Sequence, residues 1–246
     1  MSTTDQAICL RASDYSETSQ VLTLLARQSG LVRLLGKGTK RPKSKSGGGM
    51  DLFSEGRAVF AGAGRGGLGT LMEFVEEDNH APLRRDLARL HTGLYMLEAT
   101  GSLLAEADPH PEVFDLLHNA LVRLAQAEAS PPPVLAYFQW RLLRHAGLLG
   151  DLSACQGCGK EPPKAGVIFS SAAGGLLCRS CAAGAKDRLA VPHQTLAALE
   201  VMRQVQAGRR LPLSDAHAKA LNAVLAYHLQ YQLGRHLRTA RHALGR

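Results

Sequence analysis

Two cysteine pairs constrain this chain more than any other feature. Cys155-x-x-Cys158 and Cys178-x-x-Cys181 stand nineteen residues apart, a spacing that suits a four-thiolate metal site. Two residues between thiols let both sulfurs of a knuckle turn inward onto one tetrahedral ion. Gly157, Gly159, Ser180 and Gly184 relax the two turns. Residues 152–184 are rich in Cys, Gly, Ala and Ser and carry no helical period. Metal binding would supply folding energy that so few apolar residues cannot. Four thiolates leave no open coordination position, so the ion is expected to be structural, and thiolate softness points to Zn2+. A deaminase-type catalytic zinc is not supported, because Ala154 stands where such enzymes place proline before the first cysteine. No His-Glu-x-x-His occurs either. The plain alternative is a segment that holds no metal.

The first 80 residues read as strands. Residues 6–11, 20–26, 31–35, 57–61 and 68–75 are short apolar runs, and Gly30 marks a hairpin between the second and third. Five short strands in so few residues fit a small closed barrel such as the OB-fold, with an SH3-like barrel as the alternative. Cys9 falls in the first run and is expected to be a buried small apolar residue. Gly62-x-Gly64-x-x-Gly67 formally matches a dinucleotide fingerprint, but a strand-like run follows it, so a hairpin loop is the better reading.

Helical patterning takes over near His80. Leu83, Leu87, Leu90, Leu94 and Leu97 form one stripe, and Val113, Leu117, Leu121 and Leu124 a second. Leu135, Phe138, Leu142 and Leu149 form a third, after a break at Pro131–Pro133. The pattern resumes at Leu199, Met202 and Val205. A long final helix is expected from an N-cap at Ser214, its stripe running from Leu221 to Leu244. The expected fold class is therefore multidomain α+β. An OB-fold barrel spans 1–79, a helical domain 80–151 and 185–246, and a zinc-binding insert 152–184.

Residues 36–49, GKGTKRPKSKSGGG, contain no apolar side chain and must be a loop. Lys37, Lys40, Arg41, Lys43 and Lys45 fall within nine residues of it, with no acid among them. Such a loop can follow a phosphate backbone, and the hydroxyls of Thr39, Ser44 and Ser46 would add donors. Arg57 and Arg65 are weaker candidates. Aromatic residues are 5% of the chain, so phosphate contacts should outweigh base stacking. The formal charge of +8 is uneven, because residues 185–246 carry ten basic and three acidic groups. There Arg235, Arg238 and Arg241 lie three apart, on one broad face if helical, and could meet DNA or an acidic peptide. The plain alternatives are a solvated loop and cations placed at a helix C-terminus.

Hydrophobic residues at 45% exclude chain-wide disorder. No apolar run approaches the roughly 20 residues of a membrane helix, and the first residues lack a signal-peptide pattern, so a cytoplasmic protein is expected. No Walker A or nucleophile motif nominates an active site.

Taken in order, these pieces resemble a known family, that of the DNA repair protein RecO. Tyr15-Ser-Glu17-Thr-Ser19-Gln-Val-Leu22-Thr-Leu24 is similar to its opening hairpin, and Gly38-Thr-Lys40-Arg41-Pro42-Lys43-Ser44 with glycines 47–49 to its basic loop. Asp108-Pro109-His-Pro111-Glu-Val-Phe114-Asp-Leu116-Leu117 and Phe138-Gln-Trp140-Arg141-Leu-Leu143 through Gly147 are similar to its helical core. The cysteine pairs, with Phe169 and Gly174-Gly175, are similar to its zinc module. The very basic C-terminal end is a departure without a clear counterpart. The resemblance implies a non-enzymatic recombination mediator of the RecF pathway type. It would bind single- and double-stranded DNA, anneal complementary strands, work with RecR, engage the acidic tail of single-stranded DNA-binding protein and help load RecA. It also implies a nucleoid-associated location. A zinc-ribbon adaptor that binds only proteins, or an RNA-binding OB-fold protein, is the alternative.

Overall fold

A computed structural model describes residues 1–41, 48–161, 166–204 and 213–245. The chain divides into two compact units, Met1–Ala127 and Glu128–Arg246.

The first unit is built on a closed five-stranded barrel. Strands β1 (Ser2–Asp14), β2 (Gln20–Ala26), β3 (Gly30–Gly36), β4 (Glu55–Ala61) and β5 (Gly69–Asp78) close in the order β1-β2-β3-β5-β4. Among the described barrel strands only the β3–β5 pair is parallel, over Leu34–Gly36 and Gly69–Leu71. This is the OB-fold topology expected from the five runs. Alternate side chains fill the interior, with Ala7, Cys9, Leu22, Leu24, Val32, Leu34, Ala58, Phe60, Leu71 and Phe74 in one cluster. Cys9 is fully buried, and desolvation pushes its thiol up to about 12. The β2–β3 turn needs Gly30. Its φ is +71°, and a Cβ there would stand 2.2 Å from the Asp108 carbonyl oxygen. Glycines 62, 64 and 67 lie in the β4–β5 hairpin loop, as expected.

Two helices complete this unit, α1 (Leu87–Leu103) and α2 (Pro111–Ala125). The Asp86 carboxylate caps α1 by accepting from the Arg89 amide at 2.9 Å. Residues Ala7–Leu10 are buried on both faces of β1, because the face turned from the barrel is covered by α1. Phe53 pins the contact. It is buried against Gly93 of α1, where a Cβ would meet its ring at 2.9 Å. The Glu55 carboxylate of β4 pairs with His80 Nε2 at 3.0 Å and with His118 Nδ1 of α2 at 2.7 Å.

In the second unit, α3 (Pro131–His145), α4 (His193–Gln204) and α5 (Asp215–Leu233) pack as a helical group, with α5 touching both others. Gln139 Nε2 donates to Asn222 Oδ1 at 2.8 Å in that core, and Asn222 Nδ2 donates to the Pro132 carbonyl at 2.9 Å. Between α3 and α4 lies a three-stranded sheet, β7-β6-β8, from β6 (Ile168–Ser170), β7 (Gly175–Leu177) and β8 (Leu189–Ala190). The helical elements depart from the pattern at several points. Leu83 lies in a 3-10 turn, Ala81–Arg85, that precedes α1, Leu149 lies beyond the end of α3, and Val205 lies outside the described residues. Pro131–Pro133 form the first turn of α3 instead of a break before it, because first-turn amides need no intrahelical acceptor. Ser214 does cap α5, accepting from the His217 amide at 3.4 Å. However, α5 stops at Gly234, in the left-handed conformation at φ +64°. Leu237 and Leu244 therefore lie beyond it, around the four-residue α6 (Ala240–Ala243).

Candidate metal centre and nucleic-acid interface

The four thiols come together. Each of Cys155, Cys158, Cys178 and Cys181 offers a sulfur, and all four sulfurs lie within 4.8 Å of one another. Around a tetrahedral Zn2+ with bonds near 2.3 Å, sulfurs sit about 3.8 Å apart. The Cys158–Cys178 separation is 4.0 Å, so the donor set fits such an ion.

Local backbone geometry builds the two knuckles. The Gly159 amide donates to the Cys155 carbonyl at 2.8 Å, and the Ala182 amide to the Cys178 carbonyl at 2.9 Å. The amides of Gly157 and Cys178 donate to Cys155 Sγ at 3.4 and 3.3 Å. These dipoles favour the thiolate. They outweigh the desolvation of Cys155 and hold its thiol below the usual range. Ser180 contacts Cys178 Sγ at 3.1 Å and is the main cause of a Cys178 thiol lowered to about 6. Cys181 is pushed up to about 12, chiefly because it donates to Cys178. Binding of a dication would displace the thiol protons of the cluster. Close packing matters too. A Cβ on Gly157 would stand 2.9 Å from Cys181 Cβ and 3.0 Å from its sulfur. Leu177, Ala182 and Ile168 shield the cluster on its inner side. The chain's one His-x-Glu sequence, His110-Pro-Glu112, opens α2 in the other unit, its ring between Asp108 and Glu112.

The basic loop leaves the barrel at the end of β3. Lys37, Lys40 and Arg41 are exposed there. Lys43 and Lys45, with Ser44 and Ser46, lie outside the described residues. Thr39 does not offer its hydroxyl outward. It is 3% exposed, and its Oγ1 lies 3.2 Å from both Gln20 Oε1 and the Gly36 carbonyl. Gln20 is the residue that sequence reasoning missed. Its Oε1 also accepts from the Met50 amide at 2.9 Å, and its Nε2 donates to the Met50 carbonyl at 3.1 Å. One buried amide thereby clamps both stems of the loop. A lone glutamine opening a strand gives no sequence signal of this.

Lys40 is further tied to the β1–β2 turn. Its amide donates to the Thr18 carbonyl at 3.1 Å, and its ammonium pairs with Asp14 Oδ2 at 2.9 Å. Arg57 is exposed on β4, level with Gln6 and Val75. Glu76, Glu77 and Asp78 occupy the exposed end of the neighbouring β5, a poor setting for a polyanion. Arg65 is exposed at the β4–β5 hairpin tip.

Arg235, Arg238 and Arg241 do not share a helix face, because α5 ends before them. All three are nonetheless exposed, the first two in the turn after Gly234 and the third in α6. Buried Leu237 anchors the segment. No described helix is long and apolar enough to cross a membrane.

Both parts of the chain are similar to known proteins. The family model described as Recombination protein O N terminal matches residues 1–76, and Recombination protein O C terminal matches residues 84–241. The DNA repair protein RecO of Myxococcus xanthus is 33% identical over 233 residues, 93% of each chain. That of Anaeromyxobacter dehalogenans (strain 2CP-C) is 32% identical over 238 residues, 95% of this chain and 92% of its own. That of Moorella thermoacetica is 29% identical over 237 residues, 95% of this chain and 87% of its own. Matched by both family models and by these relatives over nearly its full length, the chain, with its OB-fold barrel, helical part and four-cysteine cluster, belongs to the RecO family of DNA repair and recombination proteins.

Proposed function

We propose that this chain is a non-enzymatic recombination mediator that binds single-stranded DNA, anneals complementary strands and, with RecR, helps load RecA. The reading rests on one observation above all. An acid-free run of cations leaves the rim of an OB-fold barrel, and its stems are clamped by Gln20. Lys37, Lys40, Arg41, Lys43 and Lys45 hold phosphates in this reading, with Arg57 and Arg65 in lesser roles. Cations on the protein screen the repulsion between two polyanionic strands and raise their local concentration. Base pairing then drives annealing, so no cofactor need be consumed. Duplex DNA binds the same cations.

Cys155, Cys158, Cys178 and Cys181 hold a structural Zn2+ in this reading, which fixes the 152–184 module within the helical part. The division into 1–79, 80–151, 152–184 and 185–246 is taken as one of function. The exposed Arg235, Arg238 and Arg241 receive either DNA or the acidic tail of single-stranded DNA-binding protein. The protein works in the cytoplasm, on the nucleoid.

The test is anisotropy of labelled single-stranded DNA at several salt concentrations, with the Lys40→Ala/Arg41→Ala/Lys43→Ala variant beside the wild type. Neutralising five phosphates gives a slope of log affinity on log salt of roughly −3 to −4. The variant should show a shallower slope. Unchanged binding in the variant moves the DNA to the C-terminal arginines. No binding by either protein leaves a protein-only adaptor, and tighter binding to RNA of the same sequence leaves an RNA-binding protein.

A further inference from the structure

We infer that Tyr15 is the base-stacking residue of this interface and gives the chain a preference for single-stranded over duplex DNA; the inference rests on the DNA-binding reading above. Six aromatic residues fall in the first unit. Phe53, Phe60, Phe74, Tyr95 and Phe114 are each no more than 5% exposed, whereas Tyr15 is 68% exposed. A single exposed ring is common on protein surfaces. The position of this ring sets it apart.

Asp14, the last residue of β1, is level with Gln20 of β2, and Gln20 is level with Gly36, the last residue of β3. Tyr15 therefore leaves the barrel at the rim from which Lys37, Lys40 and Arg41 project. Its backbone is held in place. The Tyr15 amide donates to the Ser19 carbonyl at 2.9 Å, and the Ser16 amide to the same oxygen at 3.2 Å. The basic stem is sewn to this turn. The Gly38 amide donates to Ser19 Oγ at 3.3 Å, the Lys40 amide to the Thr18 carbonyl, and the Lys40 ammonium reaches the Asp14 carboxylate. A cation able to hold phosphate thus lies beside the residue that precedes an exposed phenol ring. Phosphate and base of one unpaired nucleotide can meet both.

Stacking on an aromatic ring tolerates any base, since every base has a π face. A duplex buries those faces in its own stack. The ring therefore adds affinity for unpaired strands only, whereas the cations serve both forms. For an annealing protein this difference has a direction. The reactant strands are held more tightly than the paired product, so the product leaves.

The test uses three labelled probes with like phosphate counts: oligothymidylate, its abasic counterpart and a hairpin duplex. Tyr15→Ala and Tyr15→Trp are compared with the full-length wild type. Tyr15→Ala should bind oligothymidylate roughly 5- to 50-fold more weakly and the other two probes within about twofold of wild type, while Tyr15→Trp restores binding. Equal affinity of Tyr15→Ala and wild type for oligothymidylate overturns the inference. So does an equal loss on all three probes, which would mark a damaged loop. A wild type that binds oligothymidylate no better than the abasic strand overturns it too, yet leaves phosphate binding intact. A wild type that binds none of the probes overturns both readings.

Discussion

Replacing Gln20 with leucine should loosen the basic loop without touching a single cation. The glutamine amide makes three contacts that join β2 to both stems, two to Met50 and one to Thr39. Leucine has similar bulk and no polar atoms. Thr39 keeps an acceptor in the Gly36 carbonyl. Met50 is 3% exposed, and its N–H and C=O both lose the partner that Gln20 supplied. Each orphaned group costs about 1–3 kcal/mol if it stays buried. The second stem can move outward and regain water, so the low end applies to both, giving about 2 kcal/mol. For a unit of this size that is a fall in Tm of about 6–8 °C. Gln20→Glu should be worse, since an ionised carboxylate has no hydrogen to give the Met50 carbonyl and buries a charge. Hydrogen exchange at the Met50 amide, calorimetry and the salt dependence of DNA binding would measure the three consequences. Exchange should accelerate, Tm should fall, and the salt slope should become shallower as the loop cations lose their fixed place. A Gln20→Leu protein with unchanged Met50 exchange and an unchanged salt slope would refute the claim that this side chain positions the loop.

Thiol titration should find Cys9 reacting only on unfolding, because it is sealed in the barrel core, whereas the four clustered cysteines should react in the folded protein once a strong chelator is present; a fast-reacting Cys9 would contradict the barrel core. Burial lowers the pKa of His228 below its ordinary 6.5, against the hydrogen bond from its ring to the Leu148 carbonyl and the nearby Asp187 charge. The native state then binds fewer protons than the unfolded one, so stability of the second unit should decline as pH falls below about 6.5. Fluorescence of Trp140, the chain's single tryptophan, reports on that unit, and His228→Phe should make the decline shallower; a variant that declines as steeply as the wild type would disprove the role of His228. Asp14→Asn frees the Lys40 ammonium and removes a negative charge from the rim, so single-stranded DNA should bind about two- to fivefold more tightly at low salt; weaker binding would show that Asp14 orders the site instead of competing with phosphate.

What was legible in the sequence was what local chemistry dictates. The cysteine spacing determines where the sulfurs can converge, because two-residue knuckles allow few other geometries. The barrel strands alternate because their faces do, and Gly30 announces its turn because no side chain fits beside Asp108. What was hidden depends on partners far along the chain. Gln20 and Met50 are thirty residues apart, and nothing in either local sequence marks a clamp. Thr39 reads as a phosphate donor from its neighbours, yet the loop turns it inward onto that clamp. The arginine triplet reads as helical because its spacing is helical, and the stop at Gly234 is a weaker signal than the leucines on either side of it. The first two differences share one cause. Periodicity reports on which side chains are buried, and a buried polar group carries the same pattern as an apolar one until its partner is found. The residues that shape a binding loop are of that kind: Gln20 sits on the strand period, is buried like a leucine, and acts through its amide.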